Sequence, residues 1–208
     1  MSEIKGVVFD LGGVVIDWNP MYLYRKVFEG DETKAANFLS TICTPAWNGE
    51  QDSGRDLIQA TEERVALFPA WEREIRAFYG RWIEMIGGPV PGTAKLMAEI
   101  KAAGLHLFAL SNWHCETFSR VRYTYKELDL FEHIVLSGEH GCIKPDRKIY
   151  DIALACYDIP AENLIFTDDS PANVAGAAQV GLSAVQFTSA DQLRRDLISR
   201  GVMLAQAG

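Results

Sequence analysis

The sequence predicts an α/β protein: an open, Rossmann-like parallel sheet with an insertion of four helices after its first strand. Three observations carry that expectation. A short apolar run, Val7-Val8-Phe9, ends in Asp10 and is followed by Gly12-Gly13, the pattern of a strand buried on both faces that leaves the sheet through a glycine turn. Between residues 18 and 88 helical spacings succeed one another with no strand between them. Beyond Gly92 strand and helix periods alternate, which means βαβ units with right-handed crossovers.

Taken in order, the first strand occupies the stretch Ile4 to Asp17 with its turn. Asn19-Pro20 opens a helix whose apolar positions run from Met21 to Phe28, and Glu29-Gly30-Asp31 ends it. A second helix is expected from Glu32 to about Ile42, followed by a polar, Trp-bearing connection from Thr44 to Gly54. Leu57, Ile58, Thr61, Val65 and Leu67 predict a third helix, and Pro69 opens a fourth with Trp71, Ile75, Phe78, Tyr79, Trp82 and Met85 on one face. Gly87-Gly88-Pro89-Val90-Pro91-Gly92 is the strongest break in the chain. The expected division is therefore a sheet core of residues 1–17 and 89–208 with a helical bundle of residues 18–88 inserted. In the second part a helix over Thr93–Ala103 precedes a strand over Leu105–Leu110, then a helix starting near Cys115. His133–Leu136, Leu164–Thr167 and Ala184–Phe187 are the remaining strands. Helices follow Pro145, Pro171 and the last strand.

Composition narrows the function. Of 208 residues 48% are apolar and 23% charged, which suits a chain that buries a real core. A net charge of −8 argues against a nucleic-acid surface, because phosphate backbones are bound by clustered Lys and Arg. No apolar run has the length of a membrane span and the N-terminus lacks a signal-peptide layout, so a cytoplasmic protein without membrane contact is expected. Cys43, Cys115, Cys142 and Cys156 show no close pairing and read as thiols.

Four expected strands end in, or lead to, a residue of chemical interest: Asp10, Ser111-Asn112, Lys144-Pro145 and Asp168-Asp169. Each has a structural explanation as a cap or a turn. At one edge of one sheet, where ligands of open α/β folds bind, they supply a nucleophile, a hydroxyl donor, a cation and metal-binding carboxylates. These segments, VVFDLGGVVID, LSNW, GCIKPDRKIY and IFTDDSPANVAGA, resemble those of the haloacid dehalogenase superfamily of hydrolases, and the resemblance covers essentially the whole chain. It implies Asp10 as nucleophile, Ser111 as a phosphate donor and Lys144 as the charge clamp. It also implies a magnesium site at Asp10, the Gly12 carbonyl and Asp169, with Asp168 beside it. The insertion between the first two strands of the sheet looks like that superfamily's helical cap.

The chemistry agrees with those roles. A carboxylate attacking phosphorus forms an aspartyl-phosphate and divides one hard displacement into two easier ones. Magnesium and a lysine would offset the repulsion between the two anions. The Asn112 side chain and the amides after Gly12 are further candidate donors to the phosphoryl oxygens. One departure matters: most phosphatases of this superfamily carry a second Asp two residues after the nucleophile as general acid and base, and here that place is Gly12. Bacterial sugar-1-phosphate phosphatases, which this chain resembles, share the Asp-Leu-Gly. The expected function is thus a magnesium-dependent phosphatase of small, sugar-like phosphate esters. The alternatives are a metal-independent 2-haloacid dehalogenase, which has no use for the Asp168-Asp169 pair, and a non-catalytic phospho-ligand binder. His114 and Asp17 are candidate replacements for the missing acid, and Trp18, Trp47 and Trp113 are candidate cavity walls.

Overall fold

The computed structural model describes residues 3–204. In chain order, β1 (Gly6–Phe9) and β2 (Ile16–Trp18) lead into α1 (Met21–Val27), α2 (Glu32–Thr41), α3 (Pro45–Asp52), α4 (Leu57–Leu67) and α5 (Glu72–Gly80). β3 (Ile86–Pro89), α6 (Thr93–Ala102), β4 (His106–Ser111), α7 (Cys115–Ser119), β5 (His133–Leu136) and α8 (Arg147–Tyr157) follow. The chain closes with β6 (Leu164–Asp168), α9 (Pro171–Gln179), β7 (Ser183–Gln186) and α10 (Ala190–Ser199).

The main sheet has the order β5-β4-β1-β6-β7, and every pair in it is parallel. β1 is central, with Phe9 level with Ala109 on one side and with Thr167 on the other. Both of its faces are covered: Val7 and Phe9 pack into the core shared with the helical insert, and Val8 into the core beneath α8 and α9. This is why the strand reads as a continuous apolar run. Because the chain visits β4 and β5 on one side of β1 before crossing to β6 and β7, the crevice of an open sheet lies at the carboxyl ends of β4, β1 and β6.

The insert departs from the sequence expectation in three places. The stretch from Thr44 to Gly54 is not a bare connection: it holds α3, with Pro45 in its first turn and the Thr44 hydroxyl accepting from the Trp47 amide at 3.1 Å. The apolar period is absent because Trp47 is the one large apolar residue of α3 that is buried, beside Gln51. The insert therefore has five α-helices between β2 and β3 rather than four. The expected fourth helix is also broken into a 3₁₀ turn (Pro69–Trp71), α5 and a second 3₁₀ turn (Trp82–Met85). Gly87-Gly88 is not only a break, since it lies in β3, which pairs antiparallel with β2 to form the two-stranded ribbon through which the chain enters and leaves the insert. A side chain at position 87 would strike the Asp17 carboxylate and the Tyr22 ring, which accounts for that glycine.

Candidate active site

Asp10 is the first residue beyond β1, its amide still donating to the Thr167 carbonyl at 2.9 Å. Its Oδ1 receives the Leu11 amide at 2.7 Å and the Lys144 ammonium at 2.9 Å. Lys144 is fully buried and spends its other donors on the Leu110 carbonyl at 2.7 Å and on Asp168 Oδ2 at 2.6 Å. Asp168 ends β6. Its Oδ1 also receives the Ser170 amide at 2.8 Å, and Asn173, in the first turns of α9, donates to both of its oxygens at 3.1 Å. Asp169 is more exposed and leans over the glycine turn.

Electrostatics follow from this packing. Burial pushes the Asp10 carboxyl well above the carboxylate range, against the pull of Lys144. For Lys144 burial works against the charge, but Asp10 and Asp168 outweigh it and hold the ammonium. Burial, and then Asp168, raises Asp169. One lysine thus faces three carboxylates, a centre short of positive charge. Carboxylate oxygens of Asp10, Asp168 and Asp169 lie within 4.8 Å of one another. The amides of Val14, Val15 and Ile16 all turn to the Leu11 carbonyl, which leaves the Gly12 carbonyl with no hydrogen bond among the described residues. An all-oxygen set with net negative charge fits a hard divalent cation.

Two expectations need correction. The amides after Gly12 do not point at a ligand: Gly13 donates to the Ile16 carbonyl and the next three to Leu11. A tight turn needs its own amides, so only that of Gly12 stays free among the described residues. The Asn112 side chain is also largely spoken for, since its Oδ1 takes the Lys144 amide at 2.8 Å and its Nδ2 donates to the Lys144 carbonyl at 3.0 Å. It braces the lysine's backbone across the crevice. Ser111, at the end of β4, is buried and its hydroxyl makes no hydrogen bond among the described residues.

Above the carboxylates the insert and the sheet edge enclose a cavity. Gly12, Asn112 and Trp113 line it from below, and Trp18, Asn48, Asp52 and Trp82 complete its walls. Trp18 and Trp113 are where the sequence led us to expect them, whereas Trp47 packs on Phe78 and Tyr79 inside the insert at ring distances of 5.3 and 5.5 Å. The indole N–H groups of Trp18 and Trp113 are buried without a partner among the described residues. His114 is not poised for proton transfer: its Nδ1 accepts the Glu116 amide at 3.2 Å and its Nε2 lies 3.1 Å from the Arg55 carbonyl, to which that nitrogen donates. It caps α7 and ties it to the insert. Asp17 accepts from the Tyr22 hydroxyl at 2.6 Å in the ribbon. Asn48, Asp52 and Asn173 had no assigned part in the sequence reading, and Trp82 was expected only on the apolar face of a helix. The helix start at Pro171 is the one local signal that places Asn173 near the Asp168 strand end, and nothing local bears on the other three.

A buried lysine joins carboxylates at the ends of two adjacent parallel strands, β1 and β6, beneath a roof of inserted helices. The chain belongs to the haloacid dehalogenase-like hydrolases, whose family model matches residues 4–181. It is 27% identical over 191 residues to the sesquiterpene phosphatase astK of Aspergillus oryzae, covering 90% of this chain and 91% of that one. It is 22% identical to the (S)-2-haloacid dehalogenase of Pseudomonas fluorescens, covering 87% and 83%. Among solved structures, the haloacid dehalogenase family enzyme bt-2542 of Bacteroides thetaiotaomicron, in complex with magnesium and inorganic phosphate, superposes with a TM-score of 0.64 at 23% identity, covering 89% and 95%.

Proposed function

We propose that this hydrolase is a magnesium-dependent phosphatase of small molecules, with sugar phosphates as its substrates, acting through an aspartyl-phosphate on Asp10. One observation carries the reading: a buried lysine pairs with Asp10 and Asp168, and Asp169 stands within 4.8 Å of both carboxylates. An enzyme attacking carbon gains nothing from that arrangement, while phosphoryl transfer between two anions needs a cation. The cavity points the same way. A 2-haloacid is itself a carboxylate, and the walls formed by Trp18, Asn48, Asp52, Trp82, Asn112 and Trp113 offer it no cation.

In this reading Asp10, the Gly12 carbonyl and Asp169, with Asp168 beside them, would hold magnesium, which supplies charge neutralisation between the attacking carboxylate and the phosphoryl oxygens. Leu11 and Lys144 both occupy Oδ1 of Asp10, so Oδ2 is the oxygen free to attack phosphorus. Lys144 keeps Asp10 aligned, and Asn112 and Asp168 keep Lys144 in place. Ser111 contributes a hydroxyl to the transferring group. For the leaving group, tryptophan walls beside the polar side chains of Asn48, Asp52 and Asn112 suit a polyhydroxylated ring. A prenyl chain would leave all of those polar groups unmet.

The test is phosphate release, with magnesium and with chelator, from hexose 1-phosphates, a prenyl phosphate and simple alkyl phosphates, together with chloride release from 2-chloropropionate. Magnesium-dependent turnover led by the hexose esters is expected, and Asp169→Asn should lose at least about a hundredfold with its melting temperature kept. Chloride release that persists in chelator would turn the assignment to the dehalogenase.

A further inference from the structure

Resting on the phosphatase reading, one step has no owner. Expulsion of an alkoxide needs a proton and hydrolysis of the aspartyl-phosphate needs a base, yet position 12 has no side chain. His114 and Asp17 are engaged elsewhere. Among the residues lining the cavity Asp52 is the one titratable side chain. It is the last residue of α3, so it reaches the cavity from the insert and not from the sheet.

Its placement is built. Asn48 Nδ2 donates to Asp52 Oδ2 at 2.8 Å, and Asn48 is oriented by the Tyr79 hydroxyl, which donates to its Oδ1 at 3.1 Å. The Ser137 hydroxyl, from the loop after β5, donates to the Asp52 carbonyl at 2.6 Å and pins this helix end to the core. We propose that Asp52 is the general acid and base of the reaction, delivered by the helical insert in place of a side chain at position 12.

The protons balance. As Asp10 Oδ2 bonds to phosphorus and the phosphorus–oxygen bond to the alcohol breaks, the departing oxygen takes the Asp52 proton. The resulting carboxylate then takes a proton from the water that attacks the aspartyl-phosphate. The bond from phosphorus to Asp10 breaks, phosphate leaves, and both aspartates return to their starting forms. The first step requires Asp52 to be protonated near neutrality. Burial pushes its carboxyl up to about 8, opposed by the His114 backbone amide and reinforced by the negative charge of Asp10. The other ionisable group near it is the Tyr79 phenol, reached through Asn48 and raised far above its usual range by burial.

Kinetics of wild type, Asp52→Asn and Asp52→Asn/Gly12→Asp decide the matter. With a hexose 1-phosphate Asp52→Asn should lose about a hundredfold to ten-thousandfold in turnover, and the fall in activity above about pH 8 expected of wild type should be absent from the variant. With p-nitrophenyl phosphate, whose leaving group needs no acid, the variant should show a burst of nitrophenol followed by slow turnover, which also proves that it folds. A Cβ at position 12 meets nothing within 4 Å, so Gly12→Asp has room to restore the second step and shrink the burst. If magnesium-dependent wild type is active and Asp52→Asn stays within threefold with an unchanged pH profile, Asp52 is only structural and the assignment falls alone. If wild type releases no phosphate from any ester, the phosphatase reading falls first and takes this one with it.

Discussion

At the scale of single residues, Gly12 and Gly13 are glycine for different reasons. Gly12 has open space where a Cβ would stand. Gly13 has φ of +75°, and a Cβ there would sit 2.6 Å from Asp169 Oδ2. Its absence lets Asp169 close over the turn, so the chemistry of the Asp169 carboxylate depends on a neighbour with no side chain. Gly13→Ala should cost about 1 kcal/mol or more in strain and weaken the magnesium dependence of turnover, while Gly12→Ala keeps the wild-type melting temperature. Thermal unfolding together with a magnesium titration of activity separates the two. Equal melting temperatures for both variants would mean that Asp169 moves aside at little cost.

Among the elements, α3 and the loop after β5 form the contact on which the site depends most. Ser137 is fully buried and bridges them: it donates to the Asp52 carbonyl at 2.6 Å and accepts the Trp113 amide at 2.9 Å. The Arg120 guanidinium, donating to the Tyr79 carbonyl at 2.8 Å, and His114, bonded to the Arg55 carbonyl, repeat the pattern of core side chain to insert backbone. Such bonds hold the insert without depending on its side chains, which stay free to vary with substrate. Ser137→Ala removes a donor and an acceptor at once and strands two buried backbone groups. It should lower stability by about 2 kcal/mol in urea unfolding. A loss below about 0.5 kcal/mol would show that water replaces the hydroxyl.

For the whole molecule, the site is held at the expense of stability. The Asp52 carboxyl titrates near 4 in an unfolded chain and about 8 in the folded one. Below pH 4 both states carry the proton and nothing is lost. Between about pH 4 and 8 the unfolded chain releases it while the native state keeps it, so stability falls with rising pH, and above 8 the loss is constant. Asp52→Asn abolishes this penalty. Its melting temperature should match wild type near pH 4 and exceed it by about 2–4 °C at pH 8 for each kcal/mol recovered in a chain of this size. A difference independent of pH would mean that the native carboxyl is already ionised. Gain of stability with loss of turnover marks a residue kept for chemistry.

The amino-acid sequence by itself determined the sheet, its strand ends and the residues placed there. Val7-Val8-Phe9, the proline helix entries and the glycine turn are local signals, and once strands are parallel and adjacent their carboxyl ends share one edge. Asp10, Ser111, Lys144 and Asp168-Asp169 were therefore legible before any coordinates. Only the tertiary structure decided that Asn112 braces Lys144, that the amides after Gly12 close their own turn, and that His114 serves as a cap. It alone brought Asp52 over the cavity. α3 has polar residues on most of its faces and buries only Trp47 and Gln51, so no periodicity announced it. Where its last residue lands depends on docking against residues 114 and 137, more than sixty positions away in the chain. Long-range packing of that kind leaves no pattern in the neighbouring sequence.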